Sequence, residues 1–269
     1  MRTRQHAAVQ AVFFDFGDTL TTLQRPWQEV MEEGAARMAR WLQAQGLSLP
    51  TDFAEQWLAA RHFAAQKARQ EQEEHTADDT LAFLLQFYGY SQLNRGLIQQ
   101  AVDIFFAPEC ERRVLLPDAR ETLATLHGQG YRLGVISNAT SDRLIQGEID
   151  RLGLRPYLAL VLTSAAVVWR KPRQEIFQLA LERLDVLNYE AVMVGDSLEM
   201  DVKGAQEAQM WAIWADIIPN PENDLWQARV MPDAVVHRLS EVIPIIERWS
   251  AEWGWSYASG DEEDFDFEA

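Results

Sequence analysis

The sequence predicts an α/β protein: a doubly wound parallel sheet with an all-helical block inserted after its first strand. Two patterns carry the prediction. From about residue 113 onward, short near-continuous apolar runs alternate with amphipathic stretches, the mark of parallel strands covered on both faces. Before them, residues 26–107 are rich in Ala, Glu, Arg and Met, with apolar residues at helical spacing.

Each element follows in order. The run "VFF" forms the first strand and ends at Asp15. "PWQEVMEEGAARMARWLQAQG" is a helix that Pro26 suits to start and Gly46 to stop. "TDFAEQWLAARHFAAQKARQEQEEH" is a second, with Thr51 or Asp52 as its cap. "ADDTLAFLLQFYGY" and "NRGLIQQAVDIFFAPE" are two more. Then "DARETLATLHGQG" reads as helix, "YRLGVIS" as strand, "DRLIQGEIDRLGL" as helix and "YLALVLTS" as strand. "RQEIFQLALERLDV" is a helix, "AVMVGD" a strand, "SLEMDVKGAQEAQ" a helix and "MWAIWA" a strand. "DAVVH" is a last strand and "LSEVIPIIERWSAEW" a closing helix. The expected division is an α/β core at 1–20 and 112–256, a helical domain at 21–111, and a disordered acidic tail at 257–269.

Composition narrows the function classes. At 269 residues and 48% hydrophobic, the chain can bury a sizeable core. Its apolar runs fall short of the ~18 residues that span a bilayer. The N-terminal run meets Asp15 and Asp18 early, so it reads as a strand and not as a signal peptide. A net charge of -17 argues against nucleic acid and membrane partners. The single cysteine, Cys110, excludes an intrachain disulfide and suits a reducing, cytoplasmic setting; it reads as a packing residue. Lysine is scarce: Lys67, Lys171 and Lys203 are the whole set.

In doubly wound sheets, chemistry gathers beyond the carboxyl ends of the strands. After the first strand come Asp15, Gly17, Asp18 and Thr19; after "YRLGVI", Ser137 and Asn138. A loop after "YLALVLTS" carries Arg170, Lys171 and Pro172, and "AVMVG" is followed by Asp196, Ser197 and Asp201. Two carboxylates from neighbouring strands make an oxygen-rich site suited to Mg²⁺, which keeps waters and substrate oxygens in its shell. A lysine supplies a point charge, and Ser137 with backbone N–H groups at a helix start can hold phosphoryl oxygens. A strand-end carboxylate can also act as a nucleophile, and Asp15 is placed for it.

The segments "VFFDFGDTL", "GVISNA", "RKPRQEIFQLAL" and "VMVGDSLEMDVKGAQEAQMWAIW" resemble, in order and approximate spacing, the four signature motifs of the haloacid dehalogenase (HAD) superfamily. The helical block resembles that superfamily's inserted cap. The resemblance implies a Mg²⁺-dependent phosphatase of a small phosphorylated metabolite, acting through an aspartyl phosphate. It implies that Asp15 attacks phosphorus and, with the Gly17 carbonyl and Asp196, ligates Mg²⁺. Ser137 and the Asn138 backbone would hold the phosphoryl group, and Lys171 would neutralise charge between it and Asp15. Thr19 would brace the first loop, and Asp201 would stand behind the metal.

One position departs from the motif. Phosphatases of this superfamily carry a general acid two residues after the nucleophile; here that place is Gly17, and the nearest acid, Asp18, comes one residue later. Asp18 reads either as a loop-stabilising acid or as a substitute. If Gly17 holds a positive φ, an Asp there would be strained. The departure leaves three other readings open: a weakened binding protein, a metal-independent dehalogenase, or a carbon–phosphorus hydrolase using Lys67 as an imine former, although Lys67 sits in a polar stretch. Trp27, Trp41 and Trp57 read as core of the helical block, His62 and His75 as surface or packing residues, and Lys203 as solvated.

Overall fold

The structure, a computed structural model, describes residues 8–258. The chain opens with β1 (Ala11–Phe14) and a short β2 (Thr21–Leu23). Four helices follow: α1 (Trp27–Ala44), α2 (Phe53–Glu71), α3 (Ala77–Phe87) and α4 (Arg95–Arg112). Next come β3 (Arg113–Leu115), α5 (Ala119–Gly128), β4 (Arg132–Ser137), α6 (Asp142–Arg151), β5 (Leu160–Thr163), α7 (Ser164–Val167) and α8 (Gln174–Leu184). The chain continues through β6 (Ala191–Gly195), α9 (Gly204–Glu207), β7 (Trp211–Ala215), β8 (Ala234–Val236) and α10 (Val242–Ala258).

Six strands form one parallel sheet in the order β5-β4-β1-β6-β7-β8. β1 lies between β4 and β6, where the strand order turns back on itself, so the crevice at the carboxyl edge opens over Asp15. The apolar runs are explained by two-sided burial. Val12, Phe14, Leu133, Val135, Val192 and Val194 face one cluster with α5, α6 and α10. Ala11, Phe13, Ile136, Ala191 and Met193 face the other with α8 and α9. Gly134 makes room for the Phe13 ring, which lies 2.8 Å from where a Cβ would stand.

The four helices α1–α4 share a separate apolar cluster that includes Met38, Trp57, Leu81 and Phe105. Gly46 takes φ +90° just past α1, as a helix-stopping glycine should. Two further links tie this block to the sheet, and both escaped the sequence reading. β2 and β3 pair as an antiparallel ribbon on the two crossings between block and sheet. The connector after α2 also bonds to the chain before Lys171: Glu74 N donates to the Val168 carbonyl and Arg170 N to the Gln72 carbonyl.

Other expectations shift in detail. The helix expected over 197–209 is a π-helical turn at Leu198–Lys203 that runs into α9. Trp57 is buried, but Trp27, expected in the core, is 53% exposed. Of the acidic tail expected at 257–269, residues 259–269 lie outside the described residues and the two before them close α10. Among the described residues no helix is long and apolar enough to cross a membrane.

Gly34 gives a test of the packing between α1 and α4. A Cβ there would lie 2.1 Å from the Phe105 carbonyl oxygen, a backbone atom that no rotamer change can move. Helix propensity alone favours Gly→Ala by about 1 kcal/mol. Overpacking typically costs ~1–3 kcal/mol, and a rigid backbone neighbour puts this site at the upper end. Gly34→Ala is therefore expected to lower stability in a denaturant titration by about 1–2 kcal/mol net. A stabilised variant would show that α1 and α4 do not approach so closely.

Candidate active site

The carboxyl edge of the sheet gathers the strand-end groups around one buried cation. Lys171 Nζ donates to Asp15 Oδ1 (2.6 Å), to Asp201 Oδ1 (2.6 Å) and to the Ile136 carbonyl (2.7 Å). Burial works to push this ammonium down, but Asp15 and Asp201 outweigh it and hold its pKa above the ordinary value. The lysine is placed by its backbone: Asn138 Nδ2 donates to the Lys171 carbonyl (2.9 Å) and Lys171 N donates to Asn138 Oδ1 (2.8 Å). The Asn138 side chain is thus engaged in positioning Lys171. Asp201 is fixed by Ser197 N, which donates to its Oδ2 (3.0 Å). A Cβ on Gly195 would stand 2.2 Å from Asp201 Cγ, so only glycine lets that carboxylate pass.

Asp196 follows β6 as Asp15 follows β1, and the two strands are hydrogen-bonded neighbours. Its N–H donates to Thr19 Oγ1 (3.0 Å), so Thr19 joins the first and fourth motifs. Asn220 Nδ2 donates to Asp196 Oδ2 (3.0 Å), while Asn223 Nδ2 (2.8 Å) and Trp214 Nε1 (3.0 Å) donate to its carbonyl. Burial, then Asp201 and Asp15, push its carboxyl up to about 8, against the pull of Asn220. Lys171 answers Asp15 and Asp201 but does not touch Asp196. The donor set therefore has a carboxylate in want of a cation. Among the described residues no three His, Cys, Asp or Glu side chains gather to hold a metal. Two carboxylates with a loop carbonyl suit Mg²⁺, which fills its shell with water and substrate oxygens, and not a closed zinc site.

The loop at Gly17 differs from expectation. The left-handed residue is Asp18, at φ 53°, and not Gly17. Asp18 accepts a hydrogen bond from Thr22 Oγ1 (3.1 Å), which ties its side chain to the loop. The space beside Gly17 is open to a Cβ, whose nearest neighbour would be Arg113 Nη1 at 3.8 Å. Arg113, on β3, is buried and donates to Glu109 Oε1 and to Thr21 Oγ1 (2.9 Å). A guanidinium from the ribbon therefore flanks the position where the motif places an acid.

A cleft of about 760 Å³ opens between sheet edge and helices; Asp15, Gly17 and Arg113 line it, whereas Lys171, Asp196 and Asp201 are not among its lining residues. Asp15, Gly17, Asp18, Ser137 and Asn138 form its floor; Trp27, Arg61, Phe106 and Glu109 come from α1, α2 and α4. The sequence reading missed the asparagines on Asp196, although the loop after β7 holds both and follows a strand end like the others. It also missed Arg61, Glu109 and Arg113, which carry no motif. Elsewhere the plain readings stand. Burial pushes the Cys110 thiol up to about 12, which disfavours its thiolate. Lys67 is half exposed, 3.7 Å from Glu71 and outside the cleft. His75 pairs with Glu71, and Lys203 with Glu207.

Comparison with known proteins gives this geometry a family. The family model described as haloacid dehalogenase-like hydrolase matches residues 9–209. The chain is 39% identical over 122 residues to a ribulose-1,5-bisphosphate 5-phosphatase of Halopiger xanaduensis, covering 45% of this chain and 50% of that one. It is 32% identical over 133 residues to a glyceraldehyde 3-phosphate phosphatase of Pyrococcus furiosus, covering 49% and 55%. The chain thus spans about half the length of these curated relatives. Its fold superposes on a 2-haloacid dehalogenase from Pseudomonas syringae pv. tomato DC3000 with a TM-score of 0.67 and 28% identity, over 90% of this chain and 99% of that one. The family match runs from before β1 to beyond α9 and takes in all four strand-end segments, so the chain belongs to the haloacid dehalogenase-like hydrolases.

Proposed function

We propose that the protein is a Mg²⁺-dependent phosphatase of a small phosphorylated metabolite, acting in the cytoplasm through an aspartyl phosphate on Asp15. The observation that carries the reading is the buried Lys171 ammonium shared by Asp201 and by Asp15, which lines the cleft. The names of the two curated relatives, both phosphatases, support it. Residues 21–111 would act as a cap that closes over substrate bound on the core of 1–20 and 112–256.

In this reading Ser137 Oγ and the Asn138 N–H hold phosphoryl oxygens in line with Asp15. An Asp15 oxygen attacks phosphorus and the ester bond to the leaving oxygen breaks, that oxygen taking a proton from water. Water then attacks the phosphorus of the aspartyl phosphate, the bond from phosphorus to the Asp15 oxygen breaks, and inorganic phosphate leaves with the carboxylate restored. Lys171 donates to Asp15 and offsets charge as the phosphoryl group arrives. Asp15, Asp196 and the Gly17 carbonyl would hold Mg²⁺, which would supply charge stabilisation for the phosphoryl group. Thr19 and Asp201 act through their neighbours: Thr19 on the Asp196 backbone, Asp201 on Lys171. No side chain stands at Gly17 to protonate the leaving oxygen, and Asp18 is engaged by Thr22.

One observation favours a second reading. Dehalogenation needs no acid at position 17, and one solved relative is a 2-haloacid dehalogenase. The metal separates the two. Turnover of p-nitrophenyl phosphate is expected to need Mg²⁺ and to stop in EDTA, and Asp196→Asn is expected to weaken both metal affinity and turnover. Chloride release from 2-chloropropionate in EDTA, without phosphate-ester hydrolysis, would replace phosphatase by dehalogenase.

Covalency has its own test. Asp15→Asn should abolish turnover with little change in melting temperature. Beryllium fluoride, a phosphoryl mimic, should bind the wild-type protein with Mg²⁺ and not this variant. Equal binding would place the nucleophile elsewhere.

The loop geometry sharpens the test of the missing acid. Gly17 has room for a side chain and no positive φ, whereas Asp18 does hold one. Gly17→Asp with Asp18→Gly therefore puts glycine at the left-handed position, relieving about 1 kcal/mol, and restores the usual order. Alkyl phosphates should gain more than aryl phosphates, up to the ~10²–10⁴-fold of a general acid. Abolition of alkyl ester turnover by Asp18→Asn alone, with metal binding intact, would instead make Asp18 the working acid.

A further inference from the structure

Four arginines line the cleft and the reaction above uses none of them: Arg113 and Arg170 are paired with acids, Arg25 is exposed, and Arg61 is neither. Arg61 projects from α2 into the cleft, its guanidinium set beside the rings of Trp57 (5.8 Å) and Phe106 (6.0 Å). Nη2 donates to Thr140 Oγ1 (2.9 Å), but Nε and Nη1 are closed off from solvent and have no partner. A buried cation left with unmade hydrogen bonds is costly, and structures keep such groups where something else completes them.

The surrounding charges do not complete it. Glu109 is paired with Arg113, and Glu74 with Arg170, so each nearby acid already has its own guanidinium. Lys171 is likewise matched by Asp15 and Asp201. Arg61 is within ion-pair distance of no described carboxylate. Glu74 and Glu109 pull on it only from farther off, and burial lowers it to about 10, which leaves it protonated at neutral pH. Its one partner, Thr140, lies two residues past Asn138, so this cation stands beside the phosphoryl floor and within the same cleft. A threonine hydroxyl that accepts from Arg61 still has a proton to give.

Resting on the phosphatase reading, we infer that Arg61 and Thr140 form a second anion subsite, which takes a carboxylate or phosphate carried by the leaving group of the substrate. The substrate class is then a small doubly anionic phosphate ester, one anion over Asp15 and the other on Arg61. The planar guanidinium fork suits either anion and orients it, which a lysine would not do. The subsite would also draw α2 onto the substrate.

Calorimetric titration with inert phosphonates tests the subsite apart from catalysis. The probes are phosphonoacetate, 3-phosphonopropionate and 4-phosphonobutyrate, their carboxamides, and propane-1,3-bisphosphonate, each titrated into the wild-type protein with Mg²⁺. At least one acid, or the bisphosphonate, should bind at least about tenfold more tightly than the matching neutral amide. Which of the two arms shows the preference tells a carboxylate from a phosphate. Arg61→Met should collapse the preference to within about threefold, Arg61→Lys should restore part of it, and Thr140→Val should weaken it. Melting temperatures report whether each variant folds. No preference for charge at any length, or one that survives Arg61→Met in a folded protein, overturns the subsite. Turnover of p-nitrophenyl phosphate by the same preparation judges the phosphatase reading separately: failure there with the preference intact leaves the subsite standing and that reading fallen.

Discussion

The site depends on one buried ammonium. Lys171 draws Asp15 from β1, Asp201 from the turn after β6 and the Ile136 carbonyl of β4 onto a single nitrogen. A buried charge is tolerable only when paired and hydrogen-bonded, and here all three donors of the ammonium are taken. That requirement dictates much around it. Gly195 has no side chain because Asp201 must pass, and Gly204 approaches Pro172 and Phe177 too closely for a Cβ. Asn138 spends its amide on the Lys171 backbone. Several residues that look like separate motifs are thus parts of one electrostatic assembly.

Charge is distributed unevenly across that assembly. Asp15 and Asp201 are answered by Lys171, while Asp196 is held by neutral donors and crowded by the other carboxylates. The imbalance falls where the proposed Mg²⁺ would sit. On the opposite wall the imbalance is reversed: Arg61 is a cation without an acid. The proposed Mg²⁺ would offset the first imbalance, and the second anion of the proposed ester the other. The antiparallel β2–β3 ribbon sets the spacing of the two, since both crossings from sheet to helices run through it and Arg113 reaches from it to Gly17.

The residues themselves determined the fold class and the floor of the site. Near-continuous apolar runs could be satisfied only by a sheet buried on both faces, and the strand-end rule then located Asp15, Ser137, Lys171 and Asp196 together, because parallel strands present all their carboxyl ends to one edge. Local signals also held where the physics is local: Gly46 stops α1 because the backbone just past that helix turns to a positive φ, which glycine takes freely.

What the tertiary structure decided lies where residues far apart in sequence meet. No local pattern distinguishes Trp27, exposed at the cleft, from Trp57, buried in the helical cluster, since both sit on amphipathic helices. The left-handed residue of the first loop is Asp18 and not its glycine neighbour, because the chain turns there to pair Gly17 with Thr21. Arg61 and Glu109 reach the site from the inserted helices and Arg113 from the ribbon, while Asn220 comes from the loop after β7, a strand end that carries no charged residue of the motifs. Their roles arise from burial and from which charges are left without partners. Those are properties of the packed molecule, which a linear pattern does not contain.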